Sequence, residues 1–360
     1  MPIVGRRSWM LADGVAHLEG RMILKDAFTV ATARRNETMV REAVEGAVQS
    51  WPQGQPVRLH RLLRALGLRI IVRTIFGDED SARVDELYRR LLEMLEITAS
   101  IVLSVPPTQR LPYGRKLWRN FVQRRGEVDA LLFSLIDSRR RDERHHDGTL
   151  GTLLDARDAA GLQLSPTHVR DSVMSVIVAG HETTASALAW ALLLLAHAPD
   201  AQRKAADEID HDAELPYLRA VVFEALRHRP VFVFAIPRVV SEPTTIGDHT
   251  YPPSVYLMPS IYLIQHDPGF YSDPHQFRPE RFLGRHPDPD FWLPWGGGRK
   301  RCPGRHLAFL EMQTVIRVVL KRFTLEPFSE RLEGGSWRSF IVTPQDGARV
   351  VLRRRDLGRP

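Results

Sequence analysis

From Pro166 to about Ala198 the chain reads as one long helix, apolar through Ser172-Val-Met-Ser-Val-Ile-Val-Ala-Gly180 and again past Thr184. A helix that is hydrophobic all round must be buried all round, in a membrane or in a large protein body. The Ser165-Pro166 pair supplies a cap residue and a proline at the first helical position, and Pro199 marks the stop. His181-Glu182-Thr183-Thr184 interrupts the run and leaves a purely apolar stretch only from Ala185 to Ala196, short of the ~20 residues a bilayer requires. A buried central helix follows, and other helices must surround it. Apolar residues recur at helical spacing from about Arg34 to Phe76, Ser81 to Ile101 and Arg115 to Arg140. Pro106-Pro107 through Pro112-Tyr113-Gly114 reads as a loop, and Asp142 to Gly148 as a charged surface connection.

Beyond Arg229 the texture changes. Pro230, Pro237, Pro243, Pro252 and Pro253 separate short β-branched runs such as Val239-Val240 and Val255-Tyr256-Leu257, which predict short strands. A last long helix is expected after Pro303-Gly304, to about Phe323. Trp337 to Leu352 reads as a terminal hairpin turning at Asp346-Gly347. The fold class is therefore mainly α with minor β sheets. With 43% hydrophobic and 26% charged residues, disordered and fibrous classes are excluded. The net charge of +7 and pI near 9.8 favour acidic partners. Nucleic acid is not expected among them, since the arginine runs Arg139–Arg141 and Arg353–Arg355 come with no recognition helix or stacking platform. One cysteine rules out a disulfide framework and fits a reducing compartment. The N-terminus has no apolar run of signal or anchor length, so a cytoplasmic location is expected.

That cysteine stands in Trp295-Gly296-Gly297-Gly298-Arg299-Lys300-Arg301-Cys302-Pro303-Gly304, immediately before the last helix. A helix N-terminus and several cations favour thiolate, a metal ligand, and successive glycines let backbone pass close to something flat. An inert buried cysteine is the bland alternative. No second cysteine exists for a zinc site. Ala179-Gly180-His181-Glu182-Thr183-Thr184 places polar groups mid-helix, where a hydroxyl bonded back to the preceding turn explains them equally well. A metalloprotease reading fails because position 185 is alanine. Glu224-Ala225-Leu226-Arg227 alone is an ordinary i,i+3 ion pair.

Taken together and in this order, these strings resemble the cytochrome P-450 superfamily. Gly-Gly-Gly-x-x-x-Cys-Pro-Gly is similar to its heme-binding loop, which implies heme b with the Cys302 thiolate as the proximal iron ligand. The resemblance also implies the triangular helical fold of that family. Trp295 stands where the family usually has phenylalanine. Lys300 stands where it has arginine or histidine, keeping a charge for a heme propionate without bidentate geometry. Gly296, Gly298 and Gly304 belong to the same heme loop. In the resembling oxygen helix, Ala179 and Gly180 would open a groove above the iron, and Glu182 with Thr183 would deliver protons to bound dioxygen. Glu224 and Arg227, joined by Arg281 of Pro279-Glu280-Arg281-Phe282, resemble a structural network that holds the cysteine loop. His17 with Arg21, and Arg238, resemble propionate ligands, although each alone reads as an ordinary basic residue. Val231 to Ala235 and Phe340-Ile341 would line a substrate pocket, which core packing explains as well.

The resemblance covers nearly the whole chain and implies a single heme-thiolate monooxygenase domain over residues 1–360, N-terminally shortened, bacterial in type and monomeric. It would hydroxylate or epoxidise a small, mostly apolar substrate. No Gly-x-Gly-x-x-Gly fingerprint or flavin module is visible, so electrons would come from a separate ferredoxin or flavodoxin-type donor, docked at Arg299, Lys300, Arg301 and Arg305. A heme-thiolate peroxygenase or isomerase would not require Glu182-Thr183. A non-catalytic heme-binding protein is the alternative from another class.

Overall fold

The computed structural model describes residues 3–77, 81–98, 112–142, 148–211 and 214–355. Two compact units emerge: Met1–Trp51, Leu59–Ala185 and Pro303–Val318 form one, and Pro52–Arg58, Ser186–Cys302 and Val319–Pro360 the other.

The first unit is helical. Its elements are α1 (Gly14–Ile23), α2 (Val30–Arg35), α3 (Glu37–Gln49), α4 (Leu59–Phe76), α5 (Ser81–Thr98), α6 (Pro112–Arg141), α7 (Gly148–Asp155) and most of α8 (Pro166–His197). Helix α4 packs on α3, α5 and α7, and α5 on α6. This explains why α4 buries residues around most of its circumference, from Leu59 and Leu63 to Ile75 and Phe76. The helical reading of 34–76 is corrected here, because the segment breaks between Gln49 and Leu59. Pro52, Pro56 and Gly54, at φ +69°, cannot continue a helix, and β1 (Pro56–Arg58) leaves to join a sheet. Tyr113 and Gly114 lie in the first turn of α6 rather than in a loop. Residues 106–111 and 143–147 of the two expected connections lie outside the described residues.

Helix α8 begins as its caps predict: Ser165 Oγ accepts the His168 amide at 3.2 Å, with Pro166 at the first position. It is long and apolar enough to cross a membrane, yet 72% of its most apolar window is buried within the protein, as in a core helix.

The second unit combines α9 (Pro199–His211), α10 (Pro216–His228) and α11 (Ile261–Gln265) with small antiparallel sheets. The sheets pair β2 (Arg238–Val239) with β5 (Tyr256–Leu257), β3 (Thr244–Ile246) with β4 (His249–Tyr251), and β7 (Gly335–Arg338) with β8 (Ile341–Pro344). A three-stranded sheet places β9 (Arg349–Arg354) between β1 and β6 (Phe323–Pro327), with Val57 opposite Val350 and Leu325 opposite Leu352. The terminal hairpin is thus corrected: the hairpin turns at Ser339-Phe340, and Asp346-Gly347 carries the chain into another sheet. Glu333 holds that corner by accepting the amides of Asp346, Ala348 and Arg349 at 2.9, 3.2 and 2.6 Å. The last long helix, α12 (Arg305–Arg322), lies where expected.

Candidate active site

The loop before α12 folds back on itself. The Cys302 amide donates to Trp295 O at 2.8 Å and the Arg301 amide to Gly298 O at 3.1 Å, so the strand of glycines between them must reverse sharply. Gly296 and Gly298 do this at φ +67° and +60°, a region that side chains rarely tolerate. The stem is anchored: Trp292 Nε1 donates to Phe223 O of α10 at 3.1 Å, and the Leu293 amide to Gln265 Oε1 at 2.9 Å. The Trp295 ring lies edge-on to Trp292, with centroids 6.4 Å apart. Cys302 and Lys300 stay partly exposed. A Cβ added at Gly296 or Gly298 would meet no atom within 4 Å. The turn thus keeps open space at two of its glycines and a partly exposed sulfur at its end. Among the described residues no group of three His, Cys, Asp or Glu could hold a metal ion.

Helix α10 carries a closed ionic cluster. Glu224 accepts Arg227 Nε at 2.7 Å and Nη2 at 2.9 Å, Arg281 Nε at 3.0 Å and the Arg278 amide at 2.9 Å. The remaining Arg227 donors reach Gln265 O at 2.7 Å and Gln276 O at 3.3 Å. The side chains of Glu224 and Arg227 are 0% exposed. The one carboxylate is shared by two guanidiniums whose other donors reach backbone carbonyls, so the buried polar groups are satisfied. Gln265, which no motif singled out, also donates to Arg227 O at 2.9 Å and so ties this cluster to the stem of the cysteine loop.

On α8, every residue from Asp171 to Ala196 is buried except Val178, Ala179, Gly180, Glu182 and Thr183. A core helix therefore opens at one place, and its polar groups lie there. Thr183 Oγ1 donates back to Ala179 O at 2.7 Å. His181 Nδ1 lies 3.0 Å from Ile177 O, a contact that requires the proton on that nitrogen. Glu182 faces α4, with Arg64 Nε 2.6 Å from Oε2 and His60 Nε2 3.3 Å from Oε1. The missing side chain of Gly180 makes room for Ile71, whose atoms a Cβ would approach to 3.0 Å. Nothing in the sequence motifs points to His60 or Arg64.

Of the remaining candidates, His17 and Arg21 lie one turn apart on α1, with His17 buried against Trp9 at 6.3 Å between ring centroids. Arg238 is exposed in β2, and Gly304 has no atom near its Cβ position. The Val342 amide donates to Val231 O at 2.8 Å, and Phe232 stacks on Phe340 at 5.9 Å, bringing the two candidate pocket segments together. Helix α12 carries an acid that sequence reasoning missed. Glu311 is wholly buried, its Oε2 lacks a hydrogen-bond partner, and burial pushes its carboxyl up to about 8.

The family model of cytochrome P450 matches residues 5–350. The chain is a cytochrome P450. Among curated relatives, Putative cytochrome P450 137 of Mycobacterium tuberculosis is 34% identical over 354 residues, covering 98% of this chain and 74% of that protein. Putative cytochrome P450 138 of Mycobacterium bovis is 33% identical over 98% of this chain and 79% of its own length. Among solved structures, a cyanobacterial P450 described as CYP120A1 with retinoic acid bound superposes with a TM-score of 0.85 at 25% identity, covering 99% of this chain and 82% of that one. CYP102L1 gives 0.80 at 25% identity, over 95% and 83%. As a P450, the protein is a heme b monooxygenase, an oxidoreductase that incorporates oxygen from dioxygen.

Proposed function

We propose that this P450 hydroxylates or epoxidises a small, mostly apolar organic molecule, with two electrons from a separate ferredoxin or flavodoxin-type protein. The single observation that carries the reading is Cys302, the one cysteine of the sequence, partly exposed at the end of its glycine turn. Bound heme supplies the activation of dioxygen. Cys302 would hold its iron as a thiolate, with Trp295, Gly296, Gly298 and Gly304 shaping the loop around it. Lys300, Arg238, His17 and Arg21 are the candidate propionate partners. Glu182 and Thr183, at the accessible window of α8, would hold and pass protons while buried flanks on either side limit water. Ala179 contributes the carbonyl that orients Thr183, and Gly180 the close approach of Ile71. Glu224, Arg227 and Arg281 would keep the loop in register without touching substrate.

An apolar substrate is supported by the Phe232–Phe340 stack and by the retinoic acid bound to the cyanobacterial relative. A separate donor is supported by the cations Arg299, Lys300, Arg301 and Arg305 around the cysteine. We further propose that the chain works as one heme domain, as a monomer, in the cytoplasm. The decisive experiment is Cys302→Ser. Reduced under carbon monoxide, the wild type is expected to show the thiolate-type Soret band and the variant to lack it. Retention of that band in the variant overturns the assignment.

A further inference from the structure

Helix α4 presents His60, Arg64, Gly67 and Ile71 at spacings of four, three and four, which is a single helical face. That face lies against the accessible window of α8. A Cβ on Gly67 would come within 3.1 Å of His181 O, and one on Gly180 within 3.0 Å of Ile71, so the two backbones approach closely there. The approach sets Arg64 and His60 on Glu182 in different ways. Arg64 Nε takes Oε2 at 2.6 Å. His60 Nε2 stands 3.3 Å from Oε1, an ion-pair contact without hydrogen-bond geometry, and His181 Nε2 is 3.6 Å from Oε2, beyond hydrogen-bond reach. One carboxylate oxygen is thus held by a guanidinium hydrogen bond, and the other lies beside an imidazole, a side chain able to carry one ring proton or two. The cluster is largely closed to solvent, with side-chain exposures of 9% for His60, 11% for Arg64, 7% for His181 and 16% for Glu182.

We propose that α4 supplies the proton path of this enzyme, with Arg64 as the positioning residue for Glu182 and His60 as the group that reloads it. The proton leaves Nε2 of the His60 imidazolium, which returns to neutral imidazole, and joins Oε1 of the Glu182 carboxylate. Water then returns a proton to His60. The inference rests on the reading of Glu182 as the proton-passing acid.

The heme-loaded enzyme is assayed with a ferredoxin and its reductase, reading NADPH oxidation against dioxygen consumption, so that no substrate need be identified. Glu182→Gln is expected to slow turnover by about tenfold or more. His60→Gln, which keeps a donor but releases no proton, is expected to slow it comparably and to raise the solvent isotope effect. Arg64→Gln is expected to be slow, with Arg64→Lys recovering much of the rate. Arg69→Gln, an exposed arginine of α4 facing Asp85 and Tyr88, should match wild type. Apart from turnover, the infrared carboxylate band that Glu182→Gln removes from the resting protein should shift in Arg64→Gln, or in Arg64→Lys if the former does not fold, and stay in place in Arg69→Gln. Wild-type turnover in Glu182→Gln defeats the underlying reading of Glu182. A slow Glu182→Gln beside a His60→Gln with unchanged rate and isotope effect, or an unshifted band, overturns the present inference alone.

Discussion

Glu224 and Glu182 are both acids on core helices, and both are held by an arginine. Glu224 is wholly enclosed and receives four hydrogen bonds, from two guanidiniums and a backbone amide. Glu182 keeps 16% of its side chain accessible, and one of its oxygens faces a histidine. A carboxylate whose acceptor sites are filled by permanent donors has no place to take a proton, so it serves only to hold chain segments together. The half-open one retains an oxygen where a proton can arrive and leave. One pairing chemistry thus gives a fixed joint at Glu224 and, in the proposed path, a proton-passing group at Glu182.

The largest expected effect tests the enclosed acid. Removing one partner of a buried ion cluster leaves uncompensated charge at a cost of about 3–5 kcal/mol. Glu224→Gln strands Arg227, which has no exposed surface at all. Urea denaturation of the heme-loaded protein should show a loss in that range, whereas Glu182→Gln should cost about 1.5–3 kcal/mol, the scale of one hydrogen bond to a charged group. Equal losses for the two variants would break the contrast.

Glu311 sharpens it, as an acid buried with no charged partner among its causes of shift. Its carboxyl is raised from 4.5 to about 8 by desolvation alone. Between those values the folded protein holds a proton that the unfolded chain has released, so stability is greatest below about 4.5 and is lost as pH rises towards 8. The slope reaches about 1.4 kcal/mol per pH unit for one proton. Denaturation midpoints measured from pH 5 to 8 should therefore fall more steeply for wild type than for Glu311→Gln. Parallel curves would show that Glu311 is ionised in the folded state.

What could be read from the residue order follows from what each group needs. Cys302 needs a local string, glycines for the turn and proline for the helix start, and so does the Ala179–Thr184 cluster on its apolar helix. Glu224 and Arg227 lie one turn apart, and Arg281 comes with a recognisable Pro-Glu-Arg-Phe. His60 and Arg64 belong to no such string, because their partner lies more than a hundred residues away and only the packing of α4 on α8 joins them. The available signal was two charged or polar residues on the same face as Leu63 and Gly67, in a helix otherwise rich in leucine and isoleucine. The final strands failed for the same reason. Asp346-Gly347 is a valid turn signal, yet β9 finds its partners in β6 and in β1, near the other end of the sequence.

The smallest expected effect probes the contact that makes the α4 face useful. Gly67 sits mid-helix, where replacing glycine with alanine ordinarily gains about 1 kcal/mol. Here the new methyl would stand 3.1 Å from the His181 carbonyl oxygen, tighter than backbone atoms accept without moving. Overpacking of this kind costs about 1–3 kcal/mol, so the two effects nearly offset and net stability should change by only about 1 kcal/mol. The displacement falls on the segment that carries Arg64 and His60. Gly67→Ala should therefore leave the denaturation midpoint almost unmoved while shifting the Glu182 carboxylate band, separating the geometry of the half-open site from the stability of the helix that bears it. An unshifted band at unchanged stability would mean that α4 absorbs the methyl elsewhere and that the close approach at Gly67 does not set the position of Arg64.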